Sequence, residues 1–110
     1  MCCIVGKYLS KRIKTIYNVK TGIVNEYFDD IEYLITKITK SQYLVKQTNL
    51  KTHSVVYLMF FKSEKGYLSS SDNGIDNLYY NKSNELVHNW SIPINSENNL
   101  TNAHSVLYRI

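Results

Sequence analysis

The longest apolar run in the chain occupies residues 54–61, where seven consecutive apolar residues follow Ser54. Eight residues are short for a helix, and the run is rich in aromatic and β-branched side chains that favour strands. Side chains of a strand point alternately to its two faces, so an unbroken apolar run needs cover on both. The run therefore predicts a central strand buried on both faces.

Shorter apolar segments separated by turn residues predict further strands. Lys20-Thr21-Gly22 is typical of a hairpin loop, because glycine supplies the positive φ that such loops need. Pro93 lacks a backbone N–H, so the strand before it is predicted to end there or to lie at an edge. The segments are residues 2–9, 12–19, 23–28, 42–48, 54–61 and 86–94, with short stretches at 67–71 and 78–81 and a last segment at 103–110.

A helix is predicted over about residues 30–41. Asp29 and Asp30 stand where acidic residues favour a helix start. Apolar side chains then follow at the i, i+3, i+4 and i+7 positions of one helix face, Ile31, Leu34, Ile35 and Ile38. A strand over residues 33–40 is the alternative. The predicted fold is α+β, an antiparallel sheet of about six strands with this helix packed on one face.

Length and cysteine usage predict one compact domain, residues 1–110, in a reducing cytoplasm. The chain has 110 residues, enough to bury a core without metal or disulfide support. No window approaches the roughly 18 apolar residues of a membrane span, and no secretory signal opens the chain. Cys2 and Cys3 are adjacent, so we expect free thiols rather than a disulfide staple.

Charge is unevenly distributed along the chain. Residues 1–51 hold nine Lys or Arg against four acids, and residues 52–110 hold four against five. A basic segment with interleaved tyrosines is one pattern of nucleic-acid binding, and lysines on a solvated surface are the simpler interpretation. The predicted binding residues are Lys7, Tyr8, Lys11, Arg12, Lys14, Tyr17 and Lys20.

The opening Met1-Cys2-Cys3-Ile4-Val5-Gly6 resembles the start of class II glutamine amidotransferases, as does the later Asp72-Asn73-Gly74-Ile75. The resemblance implies that Cys2 is a nucleophile whose own free α-amine acts as its base. It further implies that Asn73 and Gly74 stabilise an oxyanion. The resemblance covers about ten residues, and position 3 is Cys where the family has Gly.

Metal and cofactor sites are not predicted. His53, His88 and His104 are far apart, and adjacent cysteines lack the two-residue spacer of zinc knuckles. No glycine-rich phosphate loop is present. His88 lies on the apolar face of its predicted strand beside Trp90, so we expect a packed, hydrogen-bonded histidine.

The sequence favours a small non-enzymatic binding protein. Ten tyrosines provide side chains typical of interfaces, and 49 of 110 residues are Phe, Tyr, Met, Ile, Asn or Lys, whose codons are AT-rich. We expect a phage, viral or mobile-element protein that inhibits a host defence protein by occlusion. The alternatives are a nucleic-acid-binding domain and an amidotransferase-like enzyme. Edge strands also predict a homodimer.

Overall fold

The computed structural model describes residues 4–62, 67–69 and 75–110, and every element in them is a β-strand. No helix occurs in this part of the chain, so none is found there that could cross a membrane. The strands are β1 (Gly6–Asn18), β2 (Val24–Thr39), β3 (Gln42–Asn49), β4 (Val55–Lys62), β5 (Tyr67–Ser69), β6 (Ile75–Tyr80), β7 (Leu86–Ile92) and β8 (Asn99–Arg109).

Each strand pairs antiparallel with the next along the chain, and β8 pairs back with β1. The seven longer strands form one curled sheet in the order β6-β7-β8-β1-β2-β3-β4. Three-residue β5 pairs with both β4 and β6 and closes the sheet into a barrel. The architecture is all-β, and the predicted α+β fold is wrong.

The predicted helix over residues 30–41 is instead the second half of β2 and the turn that follows it. Ile31, Tyr33 and Ile35 are buried while Leu34 is exposed, so burial follows a period of two. Ile31 and Ile35 satisfy both a helical and a strand period, which explains the error. The segment has strand neighbours on both sides, β1 and β3, and its β-branched residues favour that pairing.

The prediction that β4 is buried on both faces is also wrong. Phe60 is completely buried and Leu58 packs against the core, whereas Tyr57 and Phe61 are exposed on the other face. In a barrel one face of each strand points inward and the other outward. The strand pairs with β3 from Val55 to Phe61 and with β5 only from Phe60 to Lys62, and one of its faces is covered.

The hairpin turn at Gly22 and the strand end at Pro93 are as predicted from the sequence. Gly22 has a φ of 75°, the left-handed conformation expected of a hairpin glycine. The side-chain oxygen of Asn18 accepts hydrogen bonds from the backbone N–H groups of Lys20 and Thr21, at 3.0 and 2.9 Å. Strand β7 ends at Ile92, directly before Pro93. The two strands predicted at 2–9 and 12–19 are one continuous strand, β1.

The interior is lined by residues that alternate along the strands. It includes three tyrosines as well as aliphatic side chains, and its buried members are Ile4, Tyr8, Ile31, Tyr33, Ile35, Tyr43, Val45, Phe60, Leu78, Leu86 and Leu107. One end of the sheet extends past β3. Pairing of β1 with β2 runs to Tyr17 and Val24, but pairing of β2 with β3 begins only at Ile31.

Candidate functional site

The predicted binding residues do not form one surface, because most of them alternate along β1. Strand β1 points its odd-numbered side chains outward and its even-numbered ones inward, and Lys20 lies in the hairpin turn. Lys7, Lys11 and Tyr17 are on the outer face; Tyr8, Arg12 and Lys14 are on the inner face.

The inner members of this set have partners within the protein. Tyr8 is buried, and its hydroxyl donates to the carbonyl of Ile4 at 2.8 Å and accepts from Arg109 at 2.6 Å. Arg12 forms an ion pair with Asp29 at 2.9 Å. The hydrogen bond from Arg12 lowers the pKa of the Asp29 carboxyl below its usual value.

An acidic residue lies opposite one of the outer cations. Lys11 is directly opposite Asp30 in the pairing of β1 with β2, so the outer face of this ladder carries both signs of charge. Lys14, on the inner face, lies over the ring of Tyr27, with its Nζ 5.6 Å from the ring centroid. The nucleic-acid surface therefore stays a prediction.

A chain of polar side chains that the sequence did not predict crosses the interior. The Tyr33 hydroxyl lies 2.7 Å from Nδ1 of His88, and Nε2 of His88 lies 3.0 Å from a carboxylate oxygen of Asp76. The rings of Tyr33 and Phe60 each meet the His88 ring edge to face, with centroids 5.6 Å apart. The predicted packed, hydrogen-bonded His88 is confirmed.

This order of hydroxyl, imidazole and carboxylate is the one used to activate a nucleophile. In this protein, however, Tyr33 is 0% and His88 is 1% exposed. Burial raises the pKa of the Tyr33 hydroxyl to about 12, although a hydrogen bond with Ser105 acts in the opposite direction. A neutral hydroxyl that solvent cannot reach acts as a hydrogen-bond donor rather than as a nucleophile. The hydrogen bonds among Tyr33, His88 and Asp76 therefore satisfy polar groups of the core.

The part of the sheet that extends past β3 carries several exposed apolar side chains. We call it the protruding end: residues 14–30, with the adjoining residues 90–94 and 98–103 of the β7–β8 segment. Ile16 and Thr101 are paired there, as are Ile92 and Thr101. Its exposed large apolar side chains are Tyr17, Val19, Ile23, Val24, Tyr27, Phe28, Ile92 and Ile94.

The apolar residues of the protruding end lie on both faces of the sheet. Phe28, 66% exposed, is on the outer face, and Tyr27, 46% exposed, is on the inner face. The outer face of a barrel points to solvent throughout, and beyond the end of β3 the inner face no longer has that strand beside it. Exposed apolar side chains grouped at one end of a sheet are a feature of interaction sites.

The described residues contain neither a metal-binding cluster nor the residues to which the amidotransferase resemblance gives a role. In the three described ranges, no group of three or more His, Cys, Asp or Glu side chains could hold a metal ion. Cys2 and Cys3, and the Asn73 and Gly74 of the second resembling segment, lie outside the described residues.

Comparison with known proteins gives no relative: no family model, no curated protein and no solved structure matches the chain.

Proposed function

We propose that the protein is a non-enzymatic binding protein that occludes a surface of another protein with its protruding end. The observation that carries the proposal is the gathering of eight exposed large apolar side chains at that one end. Removing such surface from water on contact with a partner is favourable by roughly 25 cal/mol per Å² of apolar area. Aromatic side chains such as Tyr27 and Phe28 are also enriched at the centres of interfaces.

The burial of the Tyr33, His88 and Asp76 chain supports a role in binding rather than catalysis. A substrate would have to reach Tyr33 or His88, and neither side chain is accessible. The hydrogen bonds from Tyr33 to His88 and from His88 to Asp76 instead join β2, β7 and β6 across the interior of the barrel. A rigid scaffold that presents an apolar end suits a protein that acts by docking.

The proposal for the class of partner rests on the amino-acid composition of the protein. AT-rich coding is shared by low-GC bacteria, their phages and plasmids, and large DNA viruses. We propose a phage, virus or mobile element as the source, because a small occluding protein encoded there would act on a host protein. We propose a host defence protein in the host cytoplasm as the partner.

The test is affinity capture from a lysate of the host cells with matched variants. We expect the native protein to retain one stoichiometric partner at moderate salt. Phe28→Ser should reduce recovery of that partner at least about tenfold, as for a central interface residue. Tyr57→Ser is the control, because Tyr57 is 60% exposed but lies on β4, which does not contribute to the protruding end.

Two results would contradict the proposal. Equal recovery of the partner with both variants would show that the protruding end does not contact the partner. Recovery of nucleic acid alone would favour the alternative prediction, in which affinity falls steeply with salt and Lys7, Lys11, Arg12 and Lys14 set the slope.

A further inference from the structure

Strand β2 has an open edge at the protruding end. Its pairing with β3 begins at Ile31, and the last backbone hydrogen bond on that side runs from the N–H of Leu50 to the carbonyl of Asp30, at 2.9 Å. Among the described residues, none pairs with residues 24–29 on the side away from β1. The register with β1 is unbroken over the same residues, so this segment is a regular strand with one edge unpaired within the described part of the chain.

The backbone groups that face the open edge belong to Val24, Glu26 and Phe28. In an antiparallel strand the N–H and C=O of one residue point to the same side, and successive residues alternate. The carbonyl of Ile23 accepts from Asn18 on the β1 side, and that of Asp30 accepts from Leu50 on the opposite side. Even-numbered residues of β2 therefore direct their donors and acceptors to the open edge.

The outward side chains along this edge are an acidic residue between two apolar residues. Val24, Glu26 and Phe28 share the outer face, because Ile31, Tyr33 and Ile35 of the same strand point inward. Val24 and Phe28 are apolar and more than half exposed. Glu26 stands between them, and among the described residues it forms neither an ion pair nor a side-chain hydrogen bond.

We propose that this edge binds an extended segment of the partner protein as an additional antiparallel strand, with a Lys or Arg opposite Glu26 and apolar residues opposite Val24 and Phe28. Main-chain hydrogen bonds supply the affinity in this mode, and alternate side chains supply the selectivity. Opposite charges placed directly across a strand pair attract, and apolar pairs on either side exclude water. This inference rests on the proposed function and specifies its mode of contact.

A second copy of the chain fits the edge less well than a basic segment does. The two-fold antiparallel register that matches residues 24–28 with themselves places Glu26 directly opposite Glu26. Like charges in that position are destabilising. Charge complementarity therefore selects a partner with a cation at the centre of its strand.

The probe is a synthetic peptide, acetyl-Ser-Val-Thr-Lys-Thr-Ile-Ser-amide, titrated into the isotope-labelled full chain and followed by NMR. In the antiparallel register its Lys lies opposite Glu26, and its Val and Ile lie opposite Phe28 and Val24. We expect saturable shifts that are largest in residues 24–30, with a Kd below roughly 1 mM.

Backbone methylation separates strand addition from side-chain contact. The Lys N–H of the bound peptide faces the edge of β2, whereas the N–H of the Thr that follows it faces away. N-methylation of the Lys should abolish the shifts, and N-methylation of that Thr should leave them. Equal effects of the two methylations would overturn the proposal, as would the absence of shifts in residues 24–30 or self-pairing of this edge without peptide.

A charge exchange tests the predicted pairing. Glu26→Lys should weaken binding of the Lys peptide roughly tenfold, because attraction becomes repulsion, and should favour the same peptide with Glu in place of Lys. Glu97→Lys, an exposed acid in the loop before β8, is the control with the same charge change. Unaltered selectivity in Glu26→Lys would overturn the assignment of Glu26.

The outcome separates this proposal from the proposed function. If the peptide fails to bind while capture of the partner still depends on Phe28, the protruding end binds by another mode and the proposed function stands. If capture is insensitive to Phe28, the proposed function falls whatever the peptide does.

Discussion

At the scale of single residues, the tyrosines perform two different tasks. Tyr8, Tyr33 and Tyr43 are buried, and the first two direct their hydroxyls to hydrogen-bond partners inside the protein. Tyr17, Tyr27, Tyr57 and Tyr108 are exposed. A tyrosine ring is apolar enough for a core, and its hydroxyl tolerates burial when it is paired. The tyrosine count alone therefore cannot indicate an interface; the position of each residue on its strand decides.

Tyr33 gives the protein a predicted sensitivity to alkaline pH. Its pKa is raised from 10.0 to about 12, so the folded state holds the proton more tightly than the unfolded chain. This contribution to stability is complete below pH 10 and is lost as the pH rises towards 12. The loss is about 3 kcal/mol at roughly 1.4 kcal/mol per pKa unit. Urea unfolding at a series of pH values measures it.

Tyr33→Phe is the comparison for that experiment. The variant lacks the titrating hydroxyl, so its free energy of unfolding should fall less between pH 10 and 12 than that of the native protein. At neutral pH it should be less stable by about 1–3 kcal/mol, because Nδ1 of His88 loses its buried partner. Parallel pH profiles for the two proteins would contradict the assignment of Tyr33.

At the scale of elements, pairing partners outweigh local pattern. The segment from Asp30 to Thr39 has acids at its start and apolar residues at helical spacing. It is nevertheless a strand, because β1 pairs with it as far as Ile35 and β3 pairs with it as far as Thr39. In strand β4, too, the surrounding strands decide a feature that the local pattern does not, namely which face is buried. Its apolar run predicts the strand correctly, but the curvature of the sheet decides that only one face enters the core.

Adjacent phenylalanines of β4 test this assignment of faces. Phe60 is completely buried beside His88, and Phe61 is 39% exposed on the outer face. Phe60→Ala should lower the free energy of unfolding by about 3–5 kcal/mol, the usual cost of removing a buried aromatic ring. Phe61→Ala should cost less than about 1.5 kcal/mol, since it leaves no sealed cavity. Equal losses in chemical denaturation would contradict the faces described.

At the scale of the whole molecule, the sheet is closed at its body and open at one end. The molecule measures 45 × 29 × 27 Å, and the long β1–β2 hairpin extends beyond β3 at the protruding end. Closing a barrel removes strand edges, whereas an extension beyond a neighbouring strand restores one. The open edge therefore follows from the unequal length of β2 and β3.

The concentration at which the protein dimerises shows whether this open edge pairs with a second copy when no partner is present. The homodimer stays a prediction. If two copies pair through the open edge of β2, the charge on Glu26 should weaken their association. Repulsion between two copies of Glu26 opposes pairing of residues 24–28 with themselves. Glu26→Gln should therefore dimerise at a lower concentration than the native protein, and Glu97→Gln should not. Light scattering over a range of concentrations decides, and no difference among the three proteins would contradict edge-mediated pairing.

The sequence by itself determined the features that depend on neighbouring residues. These are the hairpin turn with Gly22, the end of β7 before Pro93, the strand character of β4 and the packed position of His88. Each follows from backbone conformation, a missing N–H or alternation over a few residues. Such signals act locally, so they can be identified without knowledge of the rest of the fold.

Only the tertiary structure decided the features that depend on distant residues. Tyr33, Asp76 and His88 come from β2, β6 and β7 and meet because the sheet curls into a barrel. The strand identity of residues 30–39, the inner face of β4 and the open edge of β2 are likewise set by which strands pair and where that pairing stops. Pairing between strands far apart in sequence leaves no periodic signal within either strand, so its consequences appear only when the chain is folded.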